Sequence, residues 1–208
     1  RTGGSFKNFQ GKKPFPLTGR VVQSHLAGQQ CVGVYPILPD NTSYFIAADF
    51  DGSSWLTDAQ SVLMECQRVG LSAYLEKSRS GNGAHVWIFF TEAYPCVKSR
   101  RILLELVRRV LKLSEFDKEV SFDRLFPNQD YIEPNGFGNL IALPFQGLSV
   151  RQGNTIFVDS QTGYAYEDQW EFLQSVRTHT AEELDTIGTN IFQDAAPATN
   201  HQAGSLAV

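Results

Sequence analysis

The apolar run Tyr44-Phe45-Ile46-Ala47-Ala48 closes on Asp49-Phe50-Asp51 and is followed at once by a Gly52-Ser53-Ser54 turn signal. No other stretch constrains the fold as much. Read as a β-strand, its side chains alternate between faces, so Asp49 and Asp51 share one face, with Cα atoms roughly 7 Å apart, while Phe50 enters the core. Two carboxylates that close repel each other at neutral pH. A divalent cation bound between them turns the repulsion into attraction, an arrangement suited to metal-assisted phosphoryl transfer. The same residues also suit a strand that simply ends in an Asx turn, and the spacing alone does not separate the two readings.

With 42% hydrophobic and 12% aromatic residues over 208 positions, the chain can bury a substantial core as one domain. No stretch has the apolar length of a membrane span, and Arg1-Thr2-Gly3-Gly4-Ser5 lacks the apolar core of a secretory signal. A cytoplasmic protein with no membrane partner is therefore expected. The start at Arg1 and the polar tail read as a domain cut from a longer chain. Cys31, Cys66 and Cys96 are odd in number, widely spaced and set among apolar neighbours, which fits buried reduced thiols better than a disulfide or a zinc site. The formal net charge of −4 argues against a uniformly basic coat but leaves room for a local basic groove.

Residues 1–16, rich in Gly, Lys and Pro, read as a flexible lead-in, 17–190 as the folded domain and 191–208 as a flexible tail. Thr18 caps a first helix to about Ala27, stopped by Gly28. Cys31 to Leu38 and Ser43 to Phe50 read as two strands of a hairpin turned by Pro39-Asp40-Asn41. Thr57 or Asp58 caps a helix through Val69, with Ala59, Val62, Leu63 and Cys66 at helical spacing. Strands follow at Ala73 to Glu76 and Ala84 to Phe90, then a helix from Ser99 to about Leu113 with a stripe of Ile102, Leu103, Leu106 and Val110. Further strands are expected within Asp117 to Phe126, at Asn139 to Phe145 and at Thr155 to Val158, with helices at Asp168 to Val176 and 181–187. This order predicts an α/β sandwich, its sheet mixed or antiparallel and its helices on one face.

A second constellation is Ser78-Arg79-Ser80-Gly81-Asn82-Gly83-Ala84-His85-Val86-Trp87. Gly81 and Gly83 let the backbone approach an anion closely, while the Ser80 hydroxyl and the Arg79 guanidinium add donors. Alternation then puts His85, Trp87 and Phe89 on one face and Val86, Ile88 and Phe90 on the other, with His85 at the mouth of the turn, able to donate to a phosphate. A tight hairpin turn followed by a core histidine would carry the same residues. A third constellation, Ser121-Phe122-Asp123-Arg124, offers Asp123 as a third carboxylate for a metal cage; the alternative is an ion pair with Arg124 or Arg79 that only fixes the loop. Asp117 competes for that role from a more solvated setting.

Together these segments resemble the archaeo-eukaryotic primase superfamily, whose polymerase core carries an Asp-x-Asp pair, a Ser/Gly turn ending in histidine and a third aspartate. Closer still, Ala47-Ala48-Asp49-Phe50-Asp51, Glu76-Lys77-Ser78 through Phe90, Phe122-Asp123-Arg124-Leu125-Phe126-Pro127-Asn128-Gln129-Asp130 and Gly138-Asn139-Leu140-Ile141-Ala142-Leu143-Pro144 are similar to the primase-like domain of TOTE conflict systems and to the related CRISPR-associated primase-polymerases. The resemblance spans about residues 17 to 177, and several motifs in the right order are far more specific than any one of them.

The resemblance implies an α/β (α+β) fold in which an RRM-like catalytic sheet packs with a smaller α/β lobe, the active site lying in the cleft between. It implies that Asp49, Asp51 and Asp123 hold two Mg²⁺ or Mn²⁺ ions and act in catalysis with His85. Lys77, Arg79, Ser80, Gly81, Gly83 and His85 would hold a nucleoside triphosphate, with Gln146 lining the nucleotide pocket. The implied activity is synthesis or extension of DNA or RNA primers on single-stranded DNA from NTPs or dNTPs, in a prokaryotic setting and alongside other domains or defence-system proteins. On the helix after the second strand pair, Arg101, Arg108 and Lys112 are candidate nucleic-acid contacts, together with Arg100 and Arg109, although cations on a helix also serve as a solvated face. Two other classes compete: a catalytically silent nucleotide or nucleic-acid sensor, and a metal-dependent nuclease.

Overall fold

In the computed structural model, which describes residues 15–111, 121–134 and 136–194, five strands form one antiparallel sheet. Their spatial order is β5 (Phe122–Phe126), β2 (Thr42–Asp51), β4 (Gly83–Pro95), β3 (Tyr74–Lys77) and β7 (Phe157–Val158). Because β2 is paired on both edges and covered on both faces, Ile46, Ala47, Ala48 and Phe50 are all buried and the strand reads as a nearly continuous apolar run.

Three helices cover one face: α2 (Trp55–Arg68), α3 (Cys96–Val110) and α6 (Ala181–Asp194). Ala59, Val62, Leu63 and Cys66 of α2 and Ile102, Leu103, Leu106 and Val107 of α3 meet Ile46, Ala48, Phe50, Val86 and Ile88 in the larger core. The helical spacing of the sequence is thus spent on this face. On the opposite face, Ala47, Trp87, Phe126 and Phe157 pack with Ile141 and with Phe172 of α5 (Gln169–Ser175). The expectation of helices on one face only is corrected by α5, whose start is fixed by Asp168 accepting from Trp170 N and Glu171 N.

A smaller unit holds α1 (Gly19–Leu26), the two-stranded ribbon of β1 (Gly33–Val34) and β6 (Ile141–Ala142), and α4 (Gly147–Val150). Buried His25 ties it together: Nε2 donates to Pro144 O at 2.9 Å and Nδ1 accepts from Val32 N at 3.0 Å. Gly147 lies against the end of α1, where a Cβ would run into Leu26 O and Gly28 N.

The structure departs from the sequence reading at several points. There is no 31–38/43–50 hairpin, because β1 pairs with β6 across more than a hundred residues. The 139–145 strand shrinks to Ile141–Ala142, the two residues that pair with β1; Asn139 before it spends its side chain on Asn128 N and Leu125 O, and Phe145 after it takes a left-handed φ of 66° that extended pairing does not admit. α2 starts earlier than Thr57, at an N-cap of Ser54, because the Asp58 carboxylate accepts from Ser54 Oγ and from both Ser121 N and Ser121 Oγ. α3 likewise starts at Cys96, not Ser99. The expected boundary at 190 falls inside α6, where Ile191 is buried in the larger core. Cys66 and Cys96 are buried free thiols, but Cys31 is exposed. Asp117 and Lys112 lie outside the described residues.

Candidate active site

The site grows from the register of the sheet. One row of directly opposed residues crosses all five strands: Arg124 on β5, Asp49 on β2, His85 on β4, Glu76 on β3 and Phe157 on β7. Residues opposed in an antiparallel pair share a face, so Arg124, Asp49, His85 and Glu76 all stand on the face away from α2 and α3. Asp51 follows two residues after Asp49, opposite Gly83. A Cβ on Gly83 would collide with Asp51 Oδ1 and Phe50 O, so only glycine fits beneath that carboxylate.

Asp123 reaches the site through a β-bulge. The pairing runs Asp49 to Arg124 and then Phe50 to Phe122, leaving Asp123 as the extra residue. Simple alternation would set Phe122 and Arg124 on one face and Asp123 on the other. The bulge instead sends Phe122 to the helix-covered core beside Phe50 and turns both Asp123 and Arg124 toward Asp49. One carboxylate oxygen from each of Asp49, Asp51 and Asp123 lies within 4.8 Å of the others. Arg124 Nε donates to Asp123 Oδ2 at 2.6 Å, so the ion pair weighed in the sequence is present alongside the cluster.

Electrostatically the three acids strain one another. Burial, with Asp51 and Asp123 adding to it and His85 opposing, pushes the Asp49 carboxyl up to about 6. The Asp49 side chain is 14% exposed, and its Oδ1 is 3.5 Å from His85 Nε2. Burial pulls the His85 imidazole toward neutrality, but the hydrogen bond and charge of Glu76, with Asp49 and Asp51, outweigh it and hold its pKa above the ordinary value. Three oxygen donors with no sulfur or imidazole in the inner set suit a hard divalent cation such as Mg²⁺ or Mn²⁺.

The glycine turn sits beside this cluster. Gly81 has a φ of +77°, Ser78 Oγ and Ser80 Oγ are 3.0 Å apart, and Ser80 Oγ accepts from Asn82 N at 3.2 Å. Buried Asn154 props the turn from below, its Nδ2 donating to Arg79 O at 3.2 Å and its side chain closing the space next to Gly81. Arg79 is exposed, its guanidinium 3.7 Å from Cys31 Sγ.

Other expected contacts lie elsewhere. Lys77 is paired with Ala84 in the same alternation as Leu75, so it belongs to the helix-covered face, opposite His85. Gln146 is 6% exposed and committed to structure: Oε1 accepts from Ser149 N and Ser149 Oγ at the start of α4, while Nε2 donates to Gln30 O. Arg101 and Arg108 ride on α3, across the sheet from the carboxylates, with Arg101 over the Phe192 ring. Arg100 pairs with Asp130, and Arg109 with Glu105, Glu65 and Ile191 O. The α3 arginines therefore do not line the acidic site. Glu76, Arg124 and Asn154 were not singled out as site residues by the sequence; for Glu76 the available signal was its alternation with Lys77, once the pairing with His85 is known.

An antiparallel sheet that gathers three carboxylates, an in-register histidine and a glycine turn on one face has the makings of a centre for cations and phosphates. The chain belongs to the archaeo-eukaryotic primase domain family of TOTE conflict systems, whose family-level sequence model matches residues 1–187. That family is one of primase-like nucleotidyltransferases. No curated protein matches the chain. Among the described residues, no helix is long and apolar enough to cross a membrane.

Proposed function

We propose that this domain is a metal-dependent primase-polymerase, which starts or extends a DNA or RNA strand on single-stranded DNA from nucleoside triphosphates. The observation that carries the reading is the convergence of Asp49, Asp51 and Asp123 within 4.8 Å on the face that bears His85. These three carboxylates would hold Mg²⁺ or Mn²⁺, in the two-ion arrangement of phosphoryl-transfer centres. What bound cations supply there is activation of a 3′-hydroxyl and neutralisation of charge on the pyrophosphate leaving group.

The chain's own groups do the rest. The amides of the Ser78-to-Gly83 turn, with Ser80 and Arg79, hold the triphosphate, and His85 addresses it from the sheet. Gly83 leaves room for Asp51, and the bulge at Asp123 brings in the third acid. The five-stranded sheet is the catalytic layer, in the manner of an RRM-like primase core, with the unit of α1, β1, β6 and α4 as the smaller lobe at the cleft. Template phosphates would be held by sequence-independent, salt-sensitive contacts outside α3.

One observation favours a second reading, a silent nucleotide or nucleic-acid sensor: the Asp123 carboxylate is already paired with Arg124. Product length on a denaturing gel distinguishes the classes. A polymerase lengthens a labelled strand, a nuclease shortens it, and a sensor binds and leaves it unchanged.

A further inference from the structure

We propose that Glu76 is a positioning residue that fixes the direction in which His85 addresses the triphosphate; this rests on the function proposed above. Glu76 is 1% exposed in a face otherwise lined by aromatic rings, next to His85 and Trp87. A carboxylate that deep costs free energy unless it is hydrogen-bonded, and an apolar side chain would fill the same space without that cost. The structure uses it twice: Oε2 lies 2.8 Å from His85 Nδ1 and 2.8 Å from Trp87 Nε1.

The indole N–H can only donate, so Oε2 accepts from Trp87; as a carboxylate oxygen it accepts from His85 as well, and the proton between Glu76 and His85 then sits on Nδ1. The bond pins one end of the imidazole. Its edges are walled by Trp87, with ring centroids 6.0 Å apart at 79°, and by Phe126, at 6.3 Å and 88°. The free end, Nε2, is thereby aimed across Asp49 at the carboxylate cluster, 3.5 Å from Oδ1. Trp87 in turn holds Glu76, so the carboxylate cannot swing to another partner without stranding a buried indole N–H. The arrangement has the logic of outer partners that orient a metal-binding histidine, applied here to a histidine facing a phosphate.

The test measures KM for nucleotide and kcat in primer extension by wild type, Glu76→Ala and Glu76→Gln, with thermal unfolding of each. Loss of the acceptor in Glu76→Ala should raise KM about tenfold or more, with a smaller change in kcat. Glu76→Gln keeps an oxygen able to accept both N–H groups and should recover most of that loss. An unchanged KM in Glu76→Ala, or Glu76→Gln as impaired as Glu76→Ala, overturns the proposal. Where Glu76→Ala does not fold, or wild type extends nothing and the proposed function itself fails, histidine ¹⁵N NMR of the wild-type protein still decides. A proton on His85 Nδ1 supports the positioning bond, and a bare Nδ1 with the proton on Nε2 alone overturns it.

Discussion

Asp49 and His85 stand directly opposite each other on β2 and β4, with Oδ1 and Nε2 3.5 Å apart. Register alone makes this pair. A slip of one residue would carry Asp49 into the helix-covered core and Phe50 onto the site. Phe50, buried against Phe122 at a ring-centroid distance of 5.8 Å, holds the register that keeps the two acids of its tripeptide exposed to a common ion.

Asp49→Asn should stabilise the protein without added metal and abolish its response to metal. The folded-state carboxyl titrates near 6, above its ordinary 3.8. Stability from this group is therefore full below the unfolded value and is lost as pH rises through about 6. At pH 7.5 the neutral amide removes that penalty, a gain of roughly 2–4 °C in Tm per kcal/mol relieved. Thermal unfolding with and without Mn²⁺ checks both halves; a variant that still gains Tm with Mn²⁺ would move the ion elsewhere.

Arg124→Ala should tighten cation binding. The guanidinium competes for Asp123 from a position 48% exposed, where such pairs contribute at most about 1 kcal/mol. The expected gain is no more than about fivefold in Mn²⁺ affinity by titration calorimetry. Weaker binding would mean that Arg124 orients Asp123 for the ion instead of competing with it.

The legible parts of this site are those that obey local periodicity. Asp49 and Asp51 share a face because a strand has period two, and the same rule divides His85, Trp87 and Phe89 from Val86, Ile88 and Phe90, which the two cores keep apart. Asp123 was found by its residue type, but its face was hidden: alternation fails at a bulge, and the bulge is visible only through pairing with Asp49 and Phe50. Glu76 was hidden for a related reason. It is the last residue of the strand expected at 73–76, and only the pairing of β3 with β4 sets it against His85. The short β1–β6 ribbon depends on partners far apart in the chain, so neither of its strands carried a local signal strong enough to give its true length. Gln146, which the resemblance places at the nucleotide pocket, has a structural role that no local pattern announced: it caps a four-residue helix.

Gly83→Ala should damage both the site and the fold around it. The added methyl meets the Asp51 carboxylate, which can swing away, and the backbone Phe50 O at 2.5 Å, which yields only if β2 shifts against β4. A cost of about 1–3 kcal/mol is expected from overpacking, along with loss of the Mn²⁺-induced rise in Tm. Retention of that rise would show that Asp51 is not needed for the ion.

Acid should weaken the contribution of His179, which lies between α5 and α6, bridged to Phe90 of β4 and far from the cluster in sequence. Its ring is fully buried, and Nε2 accepts from Ser72 N at 2.8 Å, a bond that protonation of that nitrogen destroys. Burial, with Arg177 adding to it and Glu183 opposing from 3.4 Å, lowers its pKa below the ordinary 6.5. The folded value is depressed, so this contribution is present above the unfolded pKa and is lost as pH falls through the folded one. Asp49 and His85, whose folded values are raised, act in the opposite sense and are common to both proteins, so the difference isolates His179: between about pH 7.5 and 5 the urea midpoint of wild type should drop relative to that of His179→Gln. Equal slopes would assign the acid sensitivity to other groups.

The most direct test of the account is strand synthesis by the wild-type chain and by Asp49→Asn/Asp51→Asn, on primed and unprimed single-stranded DNA with labelled nucleotides and Mn²⁺ or Mg²⁺. Products should lengthen with wild type and vanish in the double variant, while the variant stays folded. Elongation that survives loss of both carboxylates, or a folded wild-type protein that binds nucleotide and elongates nothing with either ion, would contradict it.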